Sequence, residues 1–253
     1  MDTSLNKYIS ESGFCSRREA DKFIEDCRVT INDKDAHKGN RVGPGDIVKI
    51  DGESLRKKQA AIYLMLNKPK GITCTTDQKD KTNIIDFINL KQRIFPIGRL
   101  DKLSEGLIFL TNDGDIVNKI LRAGNGHEKE YIVTTDKNTD LEFVKQMRQG
   151  IKIQGGTTKP CFVKQEGANR FRMVLTQGMN RQIRRMCEAL GYRVTSLKRI
   201  RIMNITISGL APGKWRYFTP AEILSIQTML TGSSKTIDAR PQDPFGQGEG
   251  MGE

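Results

Sequence analysis

The sequence predicts two mixed helix-and-sheet units, the larger of the α/β or α+β class. Three observations carry this. From about Thr3 to Leu55, two helical patterns precede short strand-like pieces. From Ile62 to about Leu230, strand-length apolar runs mix with helical periodicities and short links. From Gly232 on, Gly, Pro, Ser, Gln and charge displace both patterns, as in disordered segments. The expected boundaries are therefore 1–56, 57–231 and a disordered tail at 232–253.

In the first unit Leu5, Tyr8 and Ile9 recur at helical spacing, as do Ala20, Phe23, Ile24 and Cys27. Ser16 followed by Glu19 is a capping-box pattern opening the second helix. Val29-Thr30-Ile31, a turn at Asn32-Asp33, and Asp46–Ile50 after Gly43-Pro44-Gly45 supply a small sheet. Arg56 to Gln59 reads as a linker. In the second unit strands are expected at Ile62–Leu66, Gly106–Thr111, Glu130–Thr134, Phe171–Leu175 and Ile202–Ile207. Helices are expected at Ile84–Phe87, Gly114–Leu121, Asp140–Met147, Arg181–Leu190 and Pro220–Met229. Thr139 would cap the third of these, with Leu141, Val144 and Met147 on its apolar face.

The longest apolar run, Ala60 to Leu66, is far short of a membrane span. The N-terminus is soon charged and shows no secretory pattern, so cytoplasm is the expected compartment. The five cysteines form no C-x-x-C pair, and His37 and His127 lie apart from them. No metal site is expected, and the thiols are expected reduced and at least half-buried. The net charge of +12 is unevenly placed. Residues 60–231 hold 28 basic and 15 acidic side chains, whereas residues 1–59 are only +1 and the tail is −2. A cationic surface of this kind favours a polyanion such as nucleic acid, although lysine-rich surfaces also serve solubility.

Three segments carry chemically useful groups. Asp101 lies between Arg99 and Lys102 in a loop bounded by Ile94–Ile97 and Leu107–Leu110. Neighbouring cations favour a carboxylate's charged form, which can act as nucleophile or base. Taken alone, a turn aspartate in a surface ion pair explains the loop equally. Tyr131 opens an apolar strand after the polar stretch His127-Glu128-Lys129-Glu130, where its ring could face a cleft or simply pack. Gly178 to Cys187 is a polar loop entering a helix, with Ile183, Met186, Cys187 and Leu190 on its apolar face. Arg181 and Arg184 sit near that helix's N-terminus, where the helix dipole disfavours cations. The placement points to phosphate or a buried carboxylate, against the alternative of a solvated charged face.

In this order and spacing the segments resemble the RsuA family of rRNA pseudouridine synthases. Gly98-Arg99-Leu100-Asp101 with Ser104 and Gly106 resembles the family's signature loop. Glu128-Lys129-Glu130-Tyr131 and Asn180 to Met186 resemble its second and third motifs. The N-terminal unit, with Ser16-Arg17-Arg18-Glu19-Ala20, is similar to an S4 RNA-binding domain. Phe95-Pro96-Ile97 and Ile120 to Asn125 resemble the F-type large-subunit branch.

The resemblance implies an α+β chain: an S4-like domain, then a mixed, mainly antiparallel sheet flanked by helices. It implies a reaction that breaks the N1–C1′ bond of uridine, turns the base and joins C5 to C1′, with no cofactor. Asp101 would be the nucleophile or base, Tyr131 the ring against the extruded base, and Arg184 the partner of Asp101. Expected RNA contacts are Arg17, Arg18 and Lys22 in the small domain, and Arg99, Lys102, Lys129, Asn180, Arg181, Gln182 and Arg185 in the large one. The implied partner is structured RNA, foremost 23S rRNA, bound by a monomer away from membranes.

A non-catalytic RNA-binding ribosome-assembly factor could use the same surfaces, but it has no need of Asp101, Tyr131 and Arg184 together. A methyltransferase would need a glycine-rich loop after a strand, and no G-x-G-x-x-G occurs. The charge distribution predicts that residues 60–231 alone bind RNA with an affinity falling steeply on a log–log plot against salt. A flat slope in a binding titration across salt concentrations would contradict it.

Overall fold

The computed structural model describes residues 2–55 and 59–233. In the N-terminal unit, β1 (Thr3–Ser4) leads into α1 (Leu5–Glu11) and α2 (Arg17–Glu25). These precede β2 (Val29–Ile31), β3 (Lys34–Asp35), β4 (Arg41–Val42), β5 (Val48–Ile50) and β6 (Glu53–Ser54). The Ser16 hydroxyl accepts from Glu19 N at 3.2 Å, and Glu19 Oε2 accepts from Ser16 N at 2.7 Å, completing the expected capping box. Leu5, Ile9, Ala20 and Ile24 pack onto Val29, Val48 and Ile50 as one small core. Asn32 and Asp33 take φ of 52° and 64°, the left-handed pair of a tight hairpin turn joining β2 to β3. Cys27 departs from expectation: α2 stops at Glu25, so the thiol lies beyond the helix and is exposed.

The larger unit runs β7 (Tyr63–Lys68), α3 (Ile84–Ile88), β8 (Phe95–Ile97), β9 (Glu105–Thr111), α4 (Gly114–Leu121) and β10 (Lys129–Thr135). It continues with α5 (Leu141–Gln149), β11 (Lys152–Ile153), β12 (Gly156–Thr157), β13 (Phe162–Gly167), β14 (Arg170–Leu175) and α6 (Gln182–Ala189). It ends with β15 (Val194–Ile202), β16 (Ile205–Thr206), β17 (Trp215–Tyr217) and α7 (Pro220–Met229). The main sheet has the order β13-β14-β10-β15-β9-β7-β17, with β8 on β9 and β16 on β15. Its ladders are antiparallel apart from one parallel junction, β15 with β9. The architecture is thus α+β, as the resemblance implies.

Strand alternation divides the core between the two faces of this sheet. Leu64, Leu66, Ile108, Leu110 and Val133 face α3, α5 and α6. Met65, Leu107 and Phe109 face α4 and α7. Glu130, on the opposite side of β10 from Tyr131, joins Arg172 and Arg201 in an ion cluster. Lys7 on α1 meets Asp115 on α4 at 2.7 Å, linking the two units.

Several expectations are corrected. Asp140, not Thr139, caps α5, because its carboxylate reaches Phe143 N at 2.7 Å. The helix begins one residue later, so Leu141 turns out to solvent and Phe143 takes the inward place. The strand expected at Ile202–Ile207 is instead β15, Val194–Ile202, followed by a turn at Met203 (φ 53°) and short β16. Lys198, Arg199 and Arg201 interrupt the apolar pattern that would have marked β15. The polar edge strand β13 was hidden for the same reason. The linker expected at Arg56–Gln59, except for Gln59, and the disordered tail, except for Gly232 and Ser233, lie outside the described residues.

Thr219 and Glu222 form a second capping box on α7, and Glu222 also holds Arg216 through two 2.8 Å bonds. The Arg216 pairing pulls the Glu222 carboxyl down to about 2. A depressed folded-state value means that stability is present above the ordinary carboxylate range and is lost as pH falls toward 2. Thr219→Ala should cost about 1 kcal/mol. Glu222→Gln should lower the melting temperature at pH 7, with the gap to wild type closing between pH 5 and 2. Thermal unfolding across that range checks both.

Candidate active site

Asp101 sits in a turn whose backbone is held from three sides. Ser104 N donates to Asp101 O at 2.9 Å, closing the turn. Leu100 N donates to the Cys74 thiol sulfur at 3.4 Å. The fully buried Lys68 ammonium donates to Pro69 O at 2.8 Å and Ile72 O at 2.9 Å and approaches Lys102 O at 3.5 Å. Burial pushes the Lys68 ammonium below the usual lysine value. Gly106 ends the turn with φ +108°, and a Cβ there would stand 2.2 Å from Arg199 O. The parallel junction pairs Gly106 with Arg199, so only glycine lets β15 approach the end of the Asp101 loop.

Arg184 lies behind Asp101 in the first turn of α6 and is 8% exposed. Its Nη1 donates to Val194 O at 3.2 Å and its Nη2 to Ser104 Oγ at 3.2 Å, with Leu103 O at 3.5 Å. Its Nε stands 3.6 Å from Asp101 Oδ2, an ion pair just beyond hydrogen-bonding length. Of the two anions expected near this helix terminus, phosphate or a buried carboxylate, the structure brings a carboxylate, that of the half-exposed Asp101. Arg181, expected as the first helical residue, is the N-cap with φ 51°, and Gln182 Oε1 accepts from Met179 N at 3.0 Å in its stead.

A cleft of about 830 Å³ opens over this turn. Asp101, Arg99, Lys102, Lys129, Tyr131, Asn180, Arg181 and Gln182 all line it. Tyr131 is buried on β10 beside a bulge against β15, a feature that re-aims side chains next to sites. Arg185 is not brought to the cleft: it reaches Gln154 O at 3.3 Å, on the turn between β11 and β12. Arg17, Arg18 and Lys22 are exposed on α2, apart from the cleft. Sequence reasoning missed Lys68, Cys74 and Arg199. Lys68 lay in an apolar strand, and Cys74 carried no signal. Arg199 was hidden among the basic residues of an unrecognised strand. Among the described residues, no group of three His, Cys, Asp or Glu could hold a metal ion, and no helix is long and apolar enough to cross a membrane.

A family model for RNA pseudouridylate synthase matches residues 62–189, and one for the S4 domain matches residues 3–54. The chain belongs to the RNA pseudouridylate synthase family. The family converts uridine in RNA to pseudouridine, and the chain is such an enzyme. The dual-specificity RNA pseudouridine synthase RluF of Salmonella typhi is 54% identical, over 95% of this chain and 83% of that protein. The ribosomal large subunit pseudouridine synthase B of Bacillus subtilis (strain 168) is 32% identical, over 89% of this chain and 96% of that protein. A crystal structure of a pseudouridylate synthase superposes with TM-score 0.66 at 29% identity, covering 88% of this chain and 99% of that one. Both the synthase and the S4 resemblances read from the motifs hold, and nothing in these similarities favours a non-catalytic factor.

Gly106→Ala should disrupt the synthase at its β9–β15 junction, through backbone overlap with Arg199 O and a strained φ. A lower melting temperature and lost turnover are expected. An alanine variant as stable as wild type would show that this close approach is dispensable.

Proposed function

We propose that the enzyme acts on an extruded uridine in structured rRNA of the large ribosomal subunit, 23S rRNA, with Asp101 as nucleophile or base. Arg184 orients the Asp101 carboxylate from behind. Tyr131 provides the face on which the free base rests. Arg99, Lys102, Asn180 and Arg181 contact the strand at the mouth of the cleft, while Arg17, Arg18 and Lys22 supply contacts from the S4 domain. Gln182 shapes the cleft wall, and Arg185 grips RNA only outside the cleft. The enzyme works as a cytoplasmic monomer without a cofactor.

The observation that carries this reading is the buried Arg184 at 3.6 Å from Asp101, under a cationic cleft that also holds Tyr131. The name of the Bacillus subtilis relative, a ribosomal large subunit pseudouridine synthase, supports a large-subunit target. The dual specificity in the RluF name makes a second RNA class worth including in any search.

Pseudouridine mapping of total RNA from cells with and without the gene should show one 23S rRNA site lost with it. Complementation with wild type should restore that site, and Asp101→Asn should not. The purified Asn variant should bind RNA normally while C5 hydrogen release falls by roughly three orders of magnitude or more. Near-normal turnover by Asp101→Asn would sink the assignment.

A further inference from the structure

Two cations on the floor of the cleft have no part in the chemical roles above: Lys129, expected only as an RNA contact, and Arg199. Lys129 stands two residues before Tyr131 on β10, so both side chains leave the same face of the sheet. Arg199 lies directly across from Tyr131 on β15 and is 3% exposed. Both line the cleft. Arg199 Nε donates to Leu107 O at 2.6 Å, but its Nη2 has no partner. Lys129, 8% exposed, makes one bond from an ammonium with three donors, to His127 O at 3.1 Å. Among the described residues neither has a carboxylate within ion-pair distance.

Two buried cations without a counter-ion are costly to keep. The strain is visible in Lys129, whose value falls to about 8 through burial and then through Arg199. Such a pair suits a negative charge that arrives with the substrate. The phosphates of an extruded nucleotide stay with the strand at the mouth, where Arg99, Lys102 and Arg181 are exposed. The floor, beside the Tyr131 ring, is the place of the base.

We propose that Lys129 and Arg199 form an oxyanion site for the uracil ring, holding its carbonyl oxygens and the charge that develops on them. This rests on the reading of the cleft as the extruded-uridine site. The chemistry requires such a site by every route open to Asp101. If the N1–C1′ bond breaks, its electron pair leaves with N1 and spreads onto O2 and O4. Carbon C1′ is then satisfied either by an Asp101 oxygen or by the electron pair freed when C2′ loses its proton. If Asp101 instead adds to C6, the displaced pair moves through C5 onto O4. After N1–C1′ cleavage, C5 bonds C1′ as the Asp101 oxygen leaves it, or as C2′ takes a proton back. On the C6 route C5 displaces N1 from C1′, with the N1–C1′ pair staying on N1, and the Asp101–C6 bond breaks as C5 loses its proton. In each case the C5 proton passes to solvent and N1 takes up a proton. Fixed donors at the carbonyl oxygens stabilise the charged stage more than the bound substrate.

The test is single-turnover C5 hydrogen release by the full chain at saturating 23S rRNA, with RNA affinity measured in parallel. Lys129→Met should slow release by about 100-fold while leaving the RNA Kd within twofold. Lys129→Arg should recover most of the rate. The fall in wild-type rate as pH rises past about 8 should move to higher pH in Lys129→Arg. His127, whose carbonyl accepts from Lys129, Arg199, whose charge acts on it, and Asp101, which lines the same cleft, are all unchanged in that variant. Lys129→Gln, which keeps a polar side chain, serves if the Met variant misfolds. An affinity loss that accounts for the rate loss would make Lys129 a phosphate contact and overturn the proposal, as would a wild-type rate in the Met variant. Inactivity of the wild-type protein on 23S rRNA would instead indict the target assignment.

Discussion

The Arg184 guanidinium is charged and almost wholly enclosed, and the site is organised around satisfying it. Its N–H groups reach Val194 O on β15, Ser104 Oγ and Leu103 O on the Asp101 turn, and its Nε faces Asp101 Oδ2 at 3.6 Å. A buried charge that loses its partner is strongly destabilising. The turn carrying Asp101, the start of α6 and the start of β15 are therefore held to one another by a single side chain. Arg184 holds the turn through Ser104 Oγ and Leu103 O while its Nε stands 3.6 Å from the carboxylate, an arrangement that supports the proposed orienting role over one of charge alone.

The rest of the floor extends the same logic. Lys68 ties Pro69 O and Ile72 O, which follow β7, toward Lys102 O within the Asp101 turn, and Cys74 accepts from Leu100 N. Gly106 lets β15 close against β9 at the one parallel junction of the main sheet. That junction places Arg199 beside Gly106 on one side and Tyr131 on the other. Charge is thus distributed by depth. Exposed cations at the mouth suit phosphates, whereas enclosed cations below suit groups that must shed water, which on the proposed reading are the Asp101 carboxylate and the oxygens of the base.

What could be read from the sequence follows from these same forces. Local signals survived where one interaction decides the outcome. The Ser16–Glu19 capping box is an example, as are the Asn32–Asp33 turn, the apolar face of α6, and helices α4 and α7 at their expected limits. The cation at the helix N-terminus called only for some anion, phosphate or carboxylate; Asp101 and Arg184 were named as partners by the resemblance of their motifs to the family. The signal failed where the site overrides pattern. Strand β15 carries Arg199 for the cleft, Arg201 for the ion cluster and Lys198 beside them, so its alternation was unreadable. Arg185, expected as an RNA contact, lies one step around the helix from Arg184 and is turned to Gln154 O, away from the cleft. The α5 boundary slipped because Thr139 and Asp140 are both good caps, and only the reach to Phe143 N separates them.

The most direct test of this account is the single-turnover rate of Arg184→Lys at saturating RNA. Lysine keeps the positive charge near Asp101 but cannot hold Val194 O, Ser104 Oγ and the carboxylate together. The account predicts a rate reduced by one to two orders of magnitude, with RNA affinity unchanged. A lysine variant as fast as wild type would show that charge alone suffices, contradicting the claim that Arg184 orients Asp101.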